Sequence, residues 1–399
     1  MTKKQILILL LLMMITPCLR AQKKELSQAR SYIKSGKDYD KAERLMTDLL
    51  KDSANRENPK ILLTWFDAVT GEYMQANEKL YLKQKYDTAA FFNLNLRLFQ
   101  IAESLDSVDA RPDKKGRVRP EYRKDHAEML HQLRPNIYYG GGYHVRKGQY
   151  QDALRFYDGY IDCSRQPLFT GYDYEHTDSL LTQASYWATY CAYKLQQPEN
   201  IQKYASRAML DVFKRHYVMQ YLAESYLMTD NSEALGEILE KGFEGYPEHP
   251  YFFPRLADYY KAAGRHDLVL KAADYGLRAN KENPLFLLAK AVALLNLERY
   301  DECIRVSQQM IALNDTLAEP YYNIATCYLN QALVLEQQNN PRKLKQQILS
   351  YYRQAKPFME DFRRLMPAEK KRWAPGLYRI YFNLNMGKQF DEIDQLMRK

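Results

Sequence analysis

Three sets of residues in this 399-residue chain are of types that could do chemistry. Asp301-Glu302-Cys303 puts two carboxylates beside a thiol, the ingredients of an activated nucleophile. Tyr138–Gly148, YYGGGYHVRKG, has consecutive glycines that would let a backbone approach a phosphate. Seven histidines and five cysteines could ligate a metal. Spacing argues against each use. Neither Lys-Ser nor Lys-Thr follows the glycines, and no strand–loop–helix pattern surrounds them. His126 and His131 stand five apart, so they do not share the helix face that zinc ligands four apart occupy, and no H-E-x-x-H occurs. G-x-S-x-G and S-x-x-K are also missing. The expected catalytic, cofactor-binding and metal-ligating sets are therefore empty, and the chain is not expected to be an enzyme.

The elements that carry these residues repeat. Ala223, Ala257, Ala291 and Ala325 are spaced 34 apart. Three positions after each come Tyr226, Tyr260, Leu294 and Tyr328; four positions before lie Met219, Phe253, Leu287 and Tyr321. Apolar residues recur at spacings of three and four, as in Phe253-Leu256-Ala257-Tyr260, which predicts helices. A turn at Ala263-Gly264-Arg265 leads to a second helix from Asp267 to Ala279. Neither helix of such a pair can bury its apolar stripe alone, so the pairs must stack on one another.

With its turns read as GKDYDKA (36–42), KQKYDTA (83–89), KGQYQDA (147–153), AGRHDLV (263–269) and LERYDEC (297–303), the chain resembles the tetratricopeptide-repeat (TPR) family. The match is in strict register over 216–317 and looser elsewhere. The resemblance implies an all-α fold, a right-handed α-solenoid of antiparallel helix pairs, the TPR superhelix. Cys303 then takes the small position held by Ala42, Ala89 and Ala153 and should face Ala291 of its own unit. Asp301 and Glu302 become acids in the first turn of a helix, complementing its dipole. Gly140 and Gly141 fall where close helix contact favours glycine.

The expected organisation is a leader at 1–21, N-terminal TPR-like repeats at 22–215 with loop insertions at 106–125 and 164–178, regular units at 216–317, and an elongated pair with a capping pair at 318–399. The family implies an inner groove lined by first helices. In this register its positions carry Tyr217, Gln220, Glu224, Tyr251, Asp258, Lys261, Tyr322, Asn323 and Asn330. Rings mixed with amides and charges suit peptide recognition, and the same rings could stack on glycans. The carboxylate clamp of chaperone-binding members is missing: its positions hold Gln220, Glu224, Pro254, Asp258, Leu288 and Val292, although Arg255 and Asn323 would be compatible.

Lys3 and Lys4 before the apolar run Ile6–Ile15, with Ala21 as a small residue at a cleavage point, read as a secretory signal peptide. That run is too short to span a bilayer, which needs roughly 20 residues. A lipoprotein anchored through Cys18 is the alternative, opposed by Pro17 where a small residue is required. Loss of the leader takes Lys3, Lys4 and Arg20 and no acid, so the formal charge falls from +9 to +6. With both signs interspersed, nucleic acid is not an expected partner. Seven cations between Arg111 and Lys124 make a peripheral membrane contact the other use of that loop. Cys163, Cys191, Cys303 and Cys327 remain in the mature chain; without a CxxC they are expected to be buried free thiols. The sequence thus predicts an exported, periplasmic or envelope-associated scaffold that binds a protein or peptide, or alternatively a glycan, without a cofactor.

Overall fold

The computed structural model describes residues 22–338 and 342–398. The leader at 1–21, including Cys18, lies outside these residues, as do 339–341 and Lys399. The described residues contain helices and no strand. They divide into two compact units, the first ending at Asp230 and the second beginning at Asn231.

The first unit runs through α1 (22–35), α2 (Tyr39–Leu49), α3 (Pro59–Tyr81), α4 (Thr88–Asp109), α5 (Arg123–Leu133), α6 (Pro135–Arg146), α7 (Tyr150–Asp162), the short α8 (Tyr174–Thr177), α9 (Leu180–Lys194), α10 (Pro198–Ala208) and α11 (Arg215–Met228). The second contains α12 (Ser232–Gly245), α13 (Phe252–Ala262), α14 (His266–Ala279), α15 (Pro284–Asn296), α16 (Tyr300–Leu313), α17 (Ala318–Glu336), α18 (Lys345–Leu365), α19 (Lys370–Asn383) and α20 (Gly387–Arg398). Within each unit, helices adjacent in the chain pack on each other, as an array of hairpins requires.

Starts and stops are written locally. Asn58, Asp87 and Asn283 cap α3, α4 and α15, each side-chain oxygen accepting from the backbone N–H two residues on at 2.9–3.0 Å. The hairpin turns share one device. Gly36, Lys83, Gly148, Gln196, Asp230, Gly264, Glu298 and Asn385, one or two residues past a first helix, all have positive φ. In six of them the next N–H bonds back across the turn, as in Arg265 to the Tyr260 carbonyl (2.8 Å) and Arg299 to the Leu294 carbonyl (2.9 Å). Three of these residues, 230, 264 and 298, are 34 apart.

Ala223, Ala257, Ala291 and Ala325 are all buried, at 0–3% exposure, so the small position has one meaning throughout. A second notch repeats beside it. A Cβ on Gly242 would meet the Phe252 ring at 2.3 Å, and one on Gly276 would meet Phe286 at 2.7 Å, so each glycine on a second helix seats a ring from the next first helix. In the first unit Gly140 and Gly141 do the same for Phe156 and Tyr157, both at 2.7 Å. Close packing is therefore the reason for the first two glycines of YYGGG, while a Cβ on Gly142 would meet nothing nearer than 3.6 Å. Cys303 is fully buried on α16. Its thiol hydrogen-bonds that of Cys327 on α17, the first helix of the next pair. The sequence had set it against Ala291 of its own pair.

The two insertions behave differently. Of the insertion read at 106–125, residues 111–122 are non-helical and mostly exposed, whereas 106–109 complete α4 and 123–125 open α5. Residues 164–178, expected as a loop, are ordered by burial. Pro167–Tyr172 is a 3-10 turn, and Leu168, Phe169 and Tyr174 are buried, with the Phe169 ring 5.7 Å from Phe99. Arg134, 4% exposed at the α5–α6 joint, clasps this segment. It pairs with Asp178 at 2.6 Å, and its guanidinium lies 3.8 and 3.9 Å over the rings of Tyr160 and Tyr174. The Tyr160 hydroxyl donates to the same Asp178 carboxylate at 2.8 Å.

Candidate partner-binding face

The densest aromatic surface lies on α6, α9 and α11, the first helices of successive pairs in the first unit. Pro135 starts α6, having no N–H to leave unpaired at a helix start. The notches at Gly140 and Gly141 bring α7 close, and Tyr138 and Tyr139 directly precede them in the chain. The Tyr138 ring lies 5.7 Å from both Tyr157 and Tyr160, its hydroxyl donates to Gln183 Oε1 on α9 at 3.2 Å, and Tyr139 is 55% exposed. On α9, Trp187 sits 5.3 Å from Tyr186 and 5.7 Å from Tyr190. Tyr221 of α11 stacks on Tyr193 of α9 at 4.6 Å and 22°. Such offset and edge-on pairs hold the rings in place beyond what area burial alone provides.

Charge on this face is mainly positive, although α11 carries the half-buried Glu224 and Asp211 lies 3.8 Å from Lys214. Neither α6 nor α9 carries a carboxylate. Lys214 lies 4.6 Å over Tyr186 and 5.6 Å over Trp187; Lys194 lies 5.5 Å over Tyr190 and 5.8 Å over Tyr193. Burial, with the neighbouring Tyr150 hydroxyl, pushes the Tyr190 phenol up to about 12, so it stays a neutral donor. The arrangement presents flat apolar rings, hydroxyl and amide hydrogen-bonding groups, and cations held against π faces. It is a surface for contact.

The nine groove positions read from the sequence do not form one set. Tyr217 (43% exposed), Gln220 and Glu224 lie on α11, the latter two half-buried. At the N-cap of α13, Tyr251 is only 7% exposed, set edge-on to Phe252 with the Arg255 guanidinium 3.9 Å over its ring. Asp258 is exposed and paired with Lys261 at 3.1 Å. On α17, Tyr322 is half-buried against Phe362 (4.9 Å) and beneath the Arg372 guanidinium (4.2 Å), while Asn323 is 2% exposed. Asn330 is half-buried and bonds Tyr300. Tyr251 and Asn323 are thus buried, where the sequence had assigned both to an open groove. Missing from that reading were Tyr138, Tyr139, Trp187 and Tyr190. The signal was available in NIYYGGGYHVR and SYWATYCAYK, whose rings are too many for one buried stripe.

The other candidates resolve as packing or solvated charge. Cys163, Cys191, Cys303 and Cys327 are free and buried. Among the described residues no group of three His, Cys, Asp or Glu could hold a metal ion, and no helix is long and apolar enough to cross a membrane. In the basic loop Arg111 pairs with Glu57 (2.8 Å), Arg117 with Asp113 (2.7 Å) and Arg123 with Asp106 (2.7 Å). Among the described residues no carboxylate pairs with Lys114, Lys115, Arg119 or Lys124, all of them exposed. Between α5 and residues 167–172 opens a cleft of about 530 Å³ edged by Arg123, Lys124, Glu128 and Tyr172, so its charge is mixed.

No family model matches the chain, and no curated protein matches it. Solved structures do. The C-terminal part of a TPR repeat-containing protein from Cytophaga hutchinsonii is 12% identical, with 64% of this chain and 92% of that one covered, at a TM-score of 0.43. A tetratricopeptide repeat protein from Parabacteroides merdae is 13% identical over 67% of this chain and all of that one, at 0.36. Yeast Tom70 is 13% identical over 94% and 84%, at 0.35. These likenesses are of fold. The 34-residue register, its buried small positions and its recurrent left-handed turns give this chain the fold of tetratricopeptide-repeat proteins.

Proposed function

We propose that the chain is an exported, non-catalytic scaffold of the bacterial cell envelope that holds a protein segment on the aromatic first-helix face of α6, α9 and α11. The observation that carries this reading is the band of half-exposed rings flanked by Lys194 and Lys214, with no carboxylate on α6 or α9. Rigid tyrosine and tryptophan give contact area at low entropic cost, which is why such rings dominate binding hot spots. Export rests on the leader pattern at 1–21. A partner in an assembly or secretion complex fits a repeat array better than a reaction does, because an open face does not exclude water from a reacting centre.

The test is in-cell crosslinking with wild type and with the triple variant Trp187→Ala/Tyr190→Ala/Tyr217→Ala. Loss of the specific crosslinked partner, with an unchanged thermal melt, is expected. Equal recovery from both proteins would remove the face from consideration. Saturable binding on a glycan array, lost in the same variant, would replace the protein ligand with a sugar. N-terminal sequencing of the mature protein should start near residue 22, whereas a blocked, lipid-labelled Cys18 would mean an anchored lipoprotein.

A further inference from the structure

A second site lies at the far end of the chain, on different helices from the aromatic face. α18 and the α19–α20 turn enclose a cleft of about 810 Å³. Lys345, Arg353 and Lys356 project from α18 into its wall; at spacings of eight and eleven they share one helix face. None of the lining residues is a carboxylate. Among the described residues Lys345 and Arg353 have no ion-pair partner, and Lys356 has only a loose contact with Glu360 at 3.9 Å. The three cations thus line one face of α18 with almost no compensating charge, which makes this stretch electropositive and favourable to an anion.

The opposite wall sets the kind of anion. Phe382 is 66% exposed, the largest exposure of any big apolar residue in the second unit, with the Phe390 ring 5.8 Å away. Asn385, at φ 57°, holds the turn with its side chain exposed. Asn383 donates its Nδ2 to the Arg379 carbonyl at 2.9 Å, which leaves Oδ1 as an acceptor. Amides suit the N–H and C=O groups of a peptide, a bare aromatic ring suits an apolar side chain, and the cations suit carboxylates. We infer that this cleft binds an acidic peptide segment carrying at least one large apolar residue, by charge complementarity to Lys345, Arg353 and Lys356 and contact with Phe382.

The test uses the full mature chain and a fluorescein-labelled peptide, Leu-Glu-Glu-Leu-Glu-Glu, read by fluorescence anisotropy. Saturable binding that weakens steeply with salt is expected. Lys345→Gln/Arg353→Gln/Lys356→Gln should raise Kd by about tenfold or more, and Phe382→Ala by about threefold. These positions are exposed or half-buried, so the helical circular dichroism should not change. A Leu-Lys-Lys-Leu-Lys-Lys peptide binding equally well, or a triple variant with unaltered affinity, would overturn the inference. So would binding to vesicles of 30% phosphatidylserine in phosphatidylcholine without binding to the acidic peptide. Because the aromatic-face variants leave this cleft untouched, each site can fail without the other.

Discussion

The two units are made from the same hairpin but put their residues to different uses. In the second unit α12–α16 are 11–14 residues long, and their small positions and glycine notches recur on period. In the first, α3 and α4 reach 23 and 22 residues, a clasped insertion fills 164–178, and rings crowd α6 and α9. The contrast extends to protons. The carboxyls held above their usual range, Asp67, Glu72 and Glu103, are all in the first unit. Burial, with Asp162 nearby, pushes Glu103 up to about 8; burial and the adjacent Glu43 push Glu72 up to about 7. In the second unit the bonded Arg265 holds Asp267 down at about 2, and Arg299 lowers Glu302. Regular period marks residues with one task, packing against an equivalent neighbour. Departures from it mark residues with another.

The largest test of this contrast is pH. A carboxyl whose folded value is raised stabilises the fold below its unfolded value, and that contribution is lost as pH climbs through the folded value. For Glu103 the loss runs between about pH 4.5 and about pH 8, at up to about 1.4 kcal/mol per pH unit. Hydrogen exchange on the full chain should therefore show α4 losing protection relative to α14–α16 as pH rises from 6 to 8, and Glu103→Gln should flatten the difference. Parallel profiles in the two units would break the comparison.

Next in size is overpacking of the regular register. Ala257→Leu, at a site 3% exposed, should cost about 1–3 kcal/mol in a urea melt. A melt identical to wild type would mean the small position has slack. In the first unit Gly141→Ala should cost about 1 kcal/mol, because the clash with the buried Tyr157 ring exceeds the alanine's gain in helix propensity. If that variant is stabilised instead, the YYGGG stretch is not a packing notch. The smallest effect is a gain. Glu298 holds φ 59°, so Glu298→Gly should stabilise by up to about 1 kcal/mol, whereas Gly264→Ala, its counterpart one period earlier, should destabilise by a similar amount.

The hairpins were legible in the sequence because alanine, the turn residue and the large apolar positions answer to short-range geometry. Groove assignment was harder. A position on a first helix points toward a groove only if neighbouring helices leave it uncovered, and Tyr251 and Asn323 were covered by contacts that spacing does not encode. The segment 164–178 read as a loop because its polar, turn-rich composition hides three anchors, Leu168, Phe169 and Tyr174. Arg134 was invisible for the same reason: its partner Asp178 is 44 residues away. The rings of α9 could have been noticed from spacing alone, since Tyr186, Trp187, Tyr190 and Tyr193 line one face of a single helix.

The recurrent left-handed turn has a kinetic consequence. Each hairpin is closed by a bend of a few residues and a backbone bond across it, so its first contacts form between stretches close together in the chain. Assembly can then proceed one hairpin after another by short-range encounters, and melting can begin by peeling from an end.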